Sequence, residues 1–181
     1  MTDITIGDAP AADSTVRLAA SGDETAFARL VERHHPSMAR VAYAVCGDAE
    51  AARDAVQGAW TIAWRRLPSL RDPAQVRAWL VAIAANEARQ AVRKRGYRTI
   101  VDISESLDAA PGADPADRIG IVDLARVLAG LKPDDRALLA LRFVAGLDST
   151  EIAAQLGMSA SGVRSRLSRL IERLREELDH G

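Results

Sequence analysis

The sequence predicts an all-α protein: two small helical domains joined by a flexible linker, the C-terminal one a helix-turn-helix. Three observations carry this expectation. Apolar residues make up 48% of the chain and aromatic ones only 4%, so the core is filled by the small and aliphatic side chains that pack helices together. Apolar positions recur at spacings of three and four through most of the chain, the period of a helix with one buried face. That period stops in TIVDISESLDAAPGADPAD, residues 99–117, where Pro, Gly, Ser and acids take over, as they do in linkers.

The first dozen residues, MTDITIGDAPAA, show no periodicity, and 1–20 is expected to be a loose N-terminal tail. The first domain then spans 21–98. In DETAFARLVERHH, Phe27, Leu30, Val31 and His34 fall at helical spacing, and Pro36 suits the first turn of a next helix, PSMARVAYAVC, which Gly47 ends. From Asp48 to Leu67 a long helix places Ala52, Val56, Ala59, Ala63 and Leu67 on one face, widened by Trp60 and Trp64. PSLRDP, bounded by Pro68 and Pro73, reads as a loop. A fourth helix runs from about Ala74 to Arg95, its first half apolar over most of its circumference, and Gly96 is its stop. Trp79, among Val76, Leu80 and Ile83, reads as core.

The second domain, 118–181, divides into helices over 118–130, 133–145, 149–156 and 160–178. Pro133 takes the first helical position of the second, and Asp148 with Glu151 forms a capping box for the third. In EIAAQLGMSASGVRSRLSRL, Gly157 stands where a left-handed backbone is needed and Ser159 can cap the next helix. The last helix carries an apolar stripe, Val163, Leu167, Leu170 and Leu174. Opposite it stand Ser161, Arg164, Ser165, Ser168 and Arg169. An ordinary amphipathic hairpin more often shows Glu/Lys pairs on its wet face. Compact hydroxyls and guanidinium forks without acids suit base edges and phosphates in a major groove.

The net charge of −1 conceals a block pattern. RQAVRKRGYR, residues 89–98, holds Arg89, Arg93, Lys94, Arg95 and Arg98 with no acid, and 160–170 holds Arg164, Arg166 and Arg169 with no acid. Asp102, Glu105, Asp108, Asp114 and Asp117 lie between them. Two basic modules on an acidic connector suit two contacts with phosphate and a tether that stays clear of it.

Other functions find little support. Cys46 is the single cysteine, and there is no Gly-rich phosphate loop, zinc-ligand spacing or Cys/His constellation. His34 and His35 are adjacent and point about 100° apart on a helix, so they receive no role. The expectation is a protein that is not an enzyme, with no metal and no cofactor. No apolar run approaches the roughly 20 residues of a membrane span, and the N-terminus is acidic, unlike a signal peptide; the expected location is cytoplasmic, without membrane insertion.

LKPDDRALLALRFVAGLDSTEIAAQLGMSASGVRSRLSRLIERLREEL closely resembles the promoter-reading region four of extracytoplasmic-function (ECF) sigma factors. FARLVERHHPSMARVAYAVCGDAEAARDAVQGAWTIAWRRLPSL followed by VRAWLVAIAANEARQAVRKR resembles their region two, in the expected order and separation. Together the resemblances cover nearly all of residues 24–178. They imply a sigma factor that binds core RNA polymerase and promoter DNA, helps open the duplex, and has an anti-sigma factor as a further candidate partner. By the same resemblance, Asp54, Gln57 and Thr61 dock on the clamp helices of the polymerase largest subunit. Asn86, Arg89 and Arg93, spaced along one side of the fourth helix with Lys94 nearby, hold the minus-ten element. Ser69, Arg71 and Asp72 of the PSLRDP loop capture an extruded base. Ser161, Arg164, Ser165, Arg166, Ser168 and Arg169 read the minus-thirty-five element. Two positions depart from the family pattern: Gly58 replaces a usual acid and Gly162 a common Thr. Gly58 is the one feature favouring the alternative, a stand-alone helix-turn-helix regulator that has lost polymerase binding.

Overall fold

Aspartates start several of the helices and glycines end two of them. In the computed structural model, which describes residues 9–94, 128 and 130–179, Asp23 Oδ1 accepts from the Ala26 amide at 2.8 Å to start α2 (Glu24–Cys46). Asp48 Oδ1 accepts from the Ala51 amide at 2.6 Å to start α3 (Ala49–Arg66). Gly47, at φ 68°, ends α2 by donating to Tyr43 O, a left-handed conformation that costs other residues a Cβ clash. The remaining helices are α1 (Ala9–Ala20), α4 (Val76–Lys94), α5 (Pro133–Leu139), α6 (Ser149–Leu156) and α7 (Ala160–Asp179). Among the described residues there is no strand, and no helix is long and apolar enough to cross a membrane.

Helices α2, α3 and α4 pack around a core of small side chains. Ala52, Val56, Ala59, Ala63 and Leu67 are all buried, as their spacing predicts. Phe27 meets Trp60 and Trp64 edge-on, with centroids 5.6 and 4.8 Å apart. The PSLRDP loop is bracketed by single 3-10 turns at Leu67–Ser69 and Pro73–Gln75.

Three features differ from the sequence expectation. Residues 9–20 of the expected tail form α1, with Val16 and Ala19 buried in the core. Its apolar residues are alanines apart from Val16 and Leu18, which gives little periodic signal, and such a helix owes its stability to packing rather than propensity. Second, α2 passes straight through Pro36 rather than restarting there. Leu30, His34, Met38, Val41 and Val45 keep one buried stripe across the proline, and this packing outweighs the roughly 3 kcal/mol an interior proline costs. Third, α5 widens into a π-helical turn over Ala140–Val144, with the Ala145 amide donating to Ala140 O at 2.9 Å. Phe143 is 62% exposed there.

The sequence leaves open how the two halves sit on each other. They share one hydrophobic core: Met38, Val45, Val81 and Ala88 from the first, Leu138 and Leu141 from the second. Guanidinium groups cross the boundary. Buried Arg136 donates from Nη1 to Val45 O at 3.1 Å and from Nε to Leu131 O at 3.2 Å. Val45 lies in the last turn of α2, where carbonyls lack helical partners and favour a cation. Arg77 Nη2 donates to Ala145 O from the other side. The expected linker, 99–117, and the expected helix over 118–130, apart from 128 and 130, lie outside the described residues.

Candidate nucleic-acid interface

The helix-turn-helix forms as its residue types dictate. Asp148 Oδ1 accepts from the amides of Thr150 and Glu151, at 2.7 and 2.8 Å, and Glu151 Oε2 accepts in return from the Asp148 amide at 2.8 Å. Gly157, at φ 65°, ends α6 with its amide on Ala153 O. Ser159 Oγ then accepts from the Gly162 amide at 3.0 Å and starts α7. A side chain on residue 162 would put its Cβ 3.0 Å from that same Ser159 Oγ, so the small residue here keeps the cap uncrowded.

Along α7, Val163, Leu167 and Leu170 are buried. Ser161, Arg164, Ser165, Ser168 and Arg169 are exposed, with Arg169 Nε donating to Ser165 O at 3.3 Å. Arg166 stands apart. Its Nε and Nη2 donate to Asp135 Oδ1 at 3.0 and 2.7 Å, and Arg173 Nη2 lies 3.6 Å from the other oxygen of that carboxylate. Arg166 is expected among the minus-thirty-five contacts, but in this conformation it faces α5.

On α4 the expected minus-ten residues are brought together. Arg89 Nη2 donates to Asn86 Oδ1 at 2.5 Å and its Nη1 lies 3.1 Å from Asp134 Oδ1. Arg93 Nη2 donates to both oxygens of Asp134, each at 2.7 Å. Lys94 is exposed at the end of the helix. Arg95 and Arg98 lie outside the described residues. Asn86, Arg89, Asp134, Met158 and Arg166 line one cleft of about 570 Å³ between the halves. The two candidate readers thus meet across a common space.

The loop residues Ser69, Arg71 and Asp72 are exposed and do not line that cleft. Ser69 Oγ donates to Arg66 O at 2.7 Å, and Asp72 Oδ1 accepts from the Ala74 amide at 3.0 Å. Two of the three side chains therefore shape the loop itself, leaving Arg71 pointing to solvent without a role in its fold. Asp54, Gln57 and Thr61 share the exposed face of α3, with Thr61 Oγ1 donating to Gln57 O at 3.2 Å. Gly58 sits at the α4 side: a Cβ there would stand 3.3 Å from Glu87 Oε2. The acid usual in the family would face a second carboxylate at this point.

Sequence reasoning missed Asp134 and Asp135 as partners of the candidate DNA-binding arginines. Adjacent acids in a first turn read as complements to the helix dipole. The only other signal was that PDD interrupts a chain whose two basic blocks lack acids.

The chain matches the family models for Sigma-70 region 2 over residues 30–98 and for Sigma-70, region 4 over residues 121–174. It is 33% identical over 168 residues to a probable RNA polymerase sigma factor, RfaY, of Xanthomonas campestris, covering 88% of this chain but 42% of that longer protein. It is 32% identical over 169 residues to the ECF RNA polymerase sigma factor SigE of Mycolicibacterium smegmatis, with 88% and 65% covered. With the RNA polymerase sigma factor CnrH of Cupriavidus metallidurans it shares 30% identity over 173 residues, 89% of this chain and 91% of CnrH. The solved structure of CnrH in complex with the cytosolic domain of CnrY superposes with a TM-score of 0.70 over 94% of this chain and 98% of that one, at 29% identity. Region two and region four therefore follow each other here, on the helices and the helix-turn-helix described above, and the chain belongs to the sigma-70 family of RNA polymerase sigma factors, in its ECF group.

Proposed function

We propose that the chain delivers core RNA polymerase to a bipartite promoter, residues 21–98 serving as the polymerase and minus-ten module and residues 118–181 as the minus-thirty-five module, with 99–117 the connector between them. The polymerase clamp docks on the α3 face that carries Asp54, Gln57 and Thr61. No long cation stands between Val56 and Ala63, which makes that face easy to desolvate. Asn86, Arg89, Arg93 and Lys94 hold the minus-ten strand, Asn through a base edge and the cations through phosphates. Ser69, Arg71 and Asp72 take an unstacked base, so strand opening is driven by binding and needs no chemistry from the protein.

The carrying observation is the exposed, acid-free strip of α7 directly after the glycine turn. Ser161, Arg164, Ser165, Ser168 and Arg169 present donors along a helix whose other face is buried, the form in which a recognition helix enters a major groove. Each module alone binds weakly, and tethering raises the effective concentration of the second contact. The work is carried out where polymerase and promoter are, in the cytoplasm. CnrH, solved with the cytosolic domain of CnrY, supports a protein partner, of the anti-sigma kind, that withholds the chain from polymerase.

Co-purification with core polymerase tests the docking half. Wild type is retained by immobilised core enzyme, and the triple substitution of Asp54, Gln57 and Thr61 by Arg, Glu and Arg is lost from it while its helicity and melting are unchanged. Equal retention of the two would place the polymerase contact elsewhere.

A further inference from the structure

We propose that Asp134 is an internal substitute for promoter phosphate, a latch that occupies in the free protein the α4 arginines which DNA must use. Three geometric facts carry it. One carboxylate holds two guanidinium groups from the other half of the chain: Arg93 Nη2 at 2.7 Å from both oxygens and Arg89 Nη1 at 3.1 Å from one. A carboxylate offers guanidinium the same close pair of anionic oxygens that a phosphate does. Second, Asp134 is presented from a fixed base. It lies in the first turn of α5 after Pro133, and α5 is pinned to the first half by Arg136 on Val45 O and by Arg77 on Ala145 O. Third, the next residue, Asp135, draws Arg166 of α7 toward the same cleft. Successive acids in PDD therefore engage one arginine cluster from each candidate reader.

In this closed state Arg93 Nη2 and Arg89 Nη1 are held by Asp134, and a phosphate that takes those groups displaces it. The latch is built to be displaced. The Arg93 side chain is 54% exposed and that of Asp134 35% exposed, so the pair is screened by solvent and contributes modestly. A promoter strand that offers several phosphates, or a polymerase that separates the halves, replaces it. By contrast Asp135 is only 10% exposed and bonds within its own half, which suits a permanent fastener. The two neighbouring acids thus have different duties: Asp135 shapes the C-terminal module and Asp134 occupies the α4 arginines of the first.

The proposal rests on the reading of Arg89 and Arg93 as minus-ten contacts, and the test separates the two. Full-length protein carries fluorophores on cysteines introduced at exposed Arg53 and Glu172, on α3 and α7. Energy transfer reports the distance between the halves, and anisotropy reports affinity for a single-stranded minus-ten oligonucleotide without polymerase. Asp134→Asn leaves energy transfer unchanged, because the shared core and Arg136 still hold the halves together, and tightens oligonucleotide binding by about fivefold, the gain from removing one partly exposed competitor. Asp134→Ala tightens binding likewise, a second route should Asp134→Asn fold poorly, whereas Asp134→Glu binds as wild type does. Unchanged affinity in Asp134→Asn and Asp134→Ala, while replacing Arg89 and Arg93 by Gln weakens binding, overturns the latch and leaves the assignment of these arginines to DNA standing. Tighter binding by Asp134→Asn that is not lost when Arg89 and Arg93 are replaced by Gln in the same protein refutes the assignment of these arginines to DNA, and the latch with it.

Discussion

Asp135 holds Arg166 through Nε at 3.0 Å and Nη2 at 2.7 Å, so this arginine of the recognition helix is turned inward and already engaged. Its neighbour on the helix, Arg164, is exposed. Two arginines two residues apart therefore have separate tasks, one toward α5 and one toward solvent.

Replacing each separately shows the division. Arg166→Ala leaves a nearly buried carboxylate with only the longer contact to Arg173, and stability falls by about 1–2 kcal/mol, discounted for the partial exposure of Arg166. Arg164→Ala changes stability by less than about 0.5 kcal/mol. In duplex binding it loses roughly 1–3 kcal/mol of discrimination at one or two minus-thirty-five positions. Urea unfolding and binding to a set of point-mutated duplexes measure both. Uniform weakening across all duplexes for Arg164→Ala means that it touches only phosphate.

At position 58, glycine is explained by its neighbour. The Cβ of Gly58→Ala meets only the far end of the Glu87 side chain at 3.3 Å, which can swing aside, so the better helix former raises stability by about 0.5–1 kcal/mol. Gly58→Asp forfeits that gain through repulsion between carboxylates, and Glu87→Gln in the same protein restores it. Melting temperatures of the four proteins decide the matter: if Gly58→Asp melts with Gly58→Ala irrespective of residue 87, the account of this departure from the family is wrong.

His34 gives the fold an acid sensitivity. It is buried, and burial, then the Arg33 charge, then the Arg77 charge lower its pKa from 6.5. Between that lowered value and 6.5 the unfolded chain binds more protons than the folded one, so stability rises with pH there and is lost as pH falls below 6.5. In His34→Gln this component is absent. Thermal melts from about pH 7.5 to about pH 5 should show a smaller acid-induced decline for the variant than for wild type; parallel declines would remove His34 as the cause.

The parts of the fold that were legible in the sequence are those fixed by local chemistry. Gly157 and Ser159 announce the turn because one tolerates a left-handed backbone and the other offers a cap within three residues. Val163, Leu167 and Leu170 announce the buried face of α7 by spacing alone. Asp134 could not be read in the same way, because its partner Arg93 stands 41 residues earlier and pairing across that interval is decided by packing. Arg136 looked like any surface cation of an amphipathic helix, yet it is buried against the end of α2. Residues 9–20 showed too few large apolar positions to reveal a helix whose partner is tertiary. The outward strip of α7 and the exposed face of α3 were anticipated correctly as surfaces, whereas the closing of one half on the other needed coordinates.

Run-off transcription on a library of promoter fragments, with core RNA polymerase in the presence and absence of this chain, tests the central claim most directly. The account predicts discrete starts that appear only with the chain, from fragments sharing two spaced elements, and Arg164→Ala should relax one position of the upstream element while the start site stays fixed. Transcripts indistinguishable from those of core enzyme alone would contradict it.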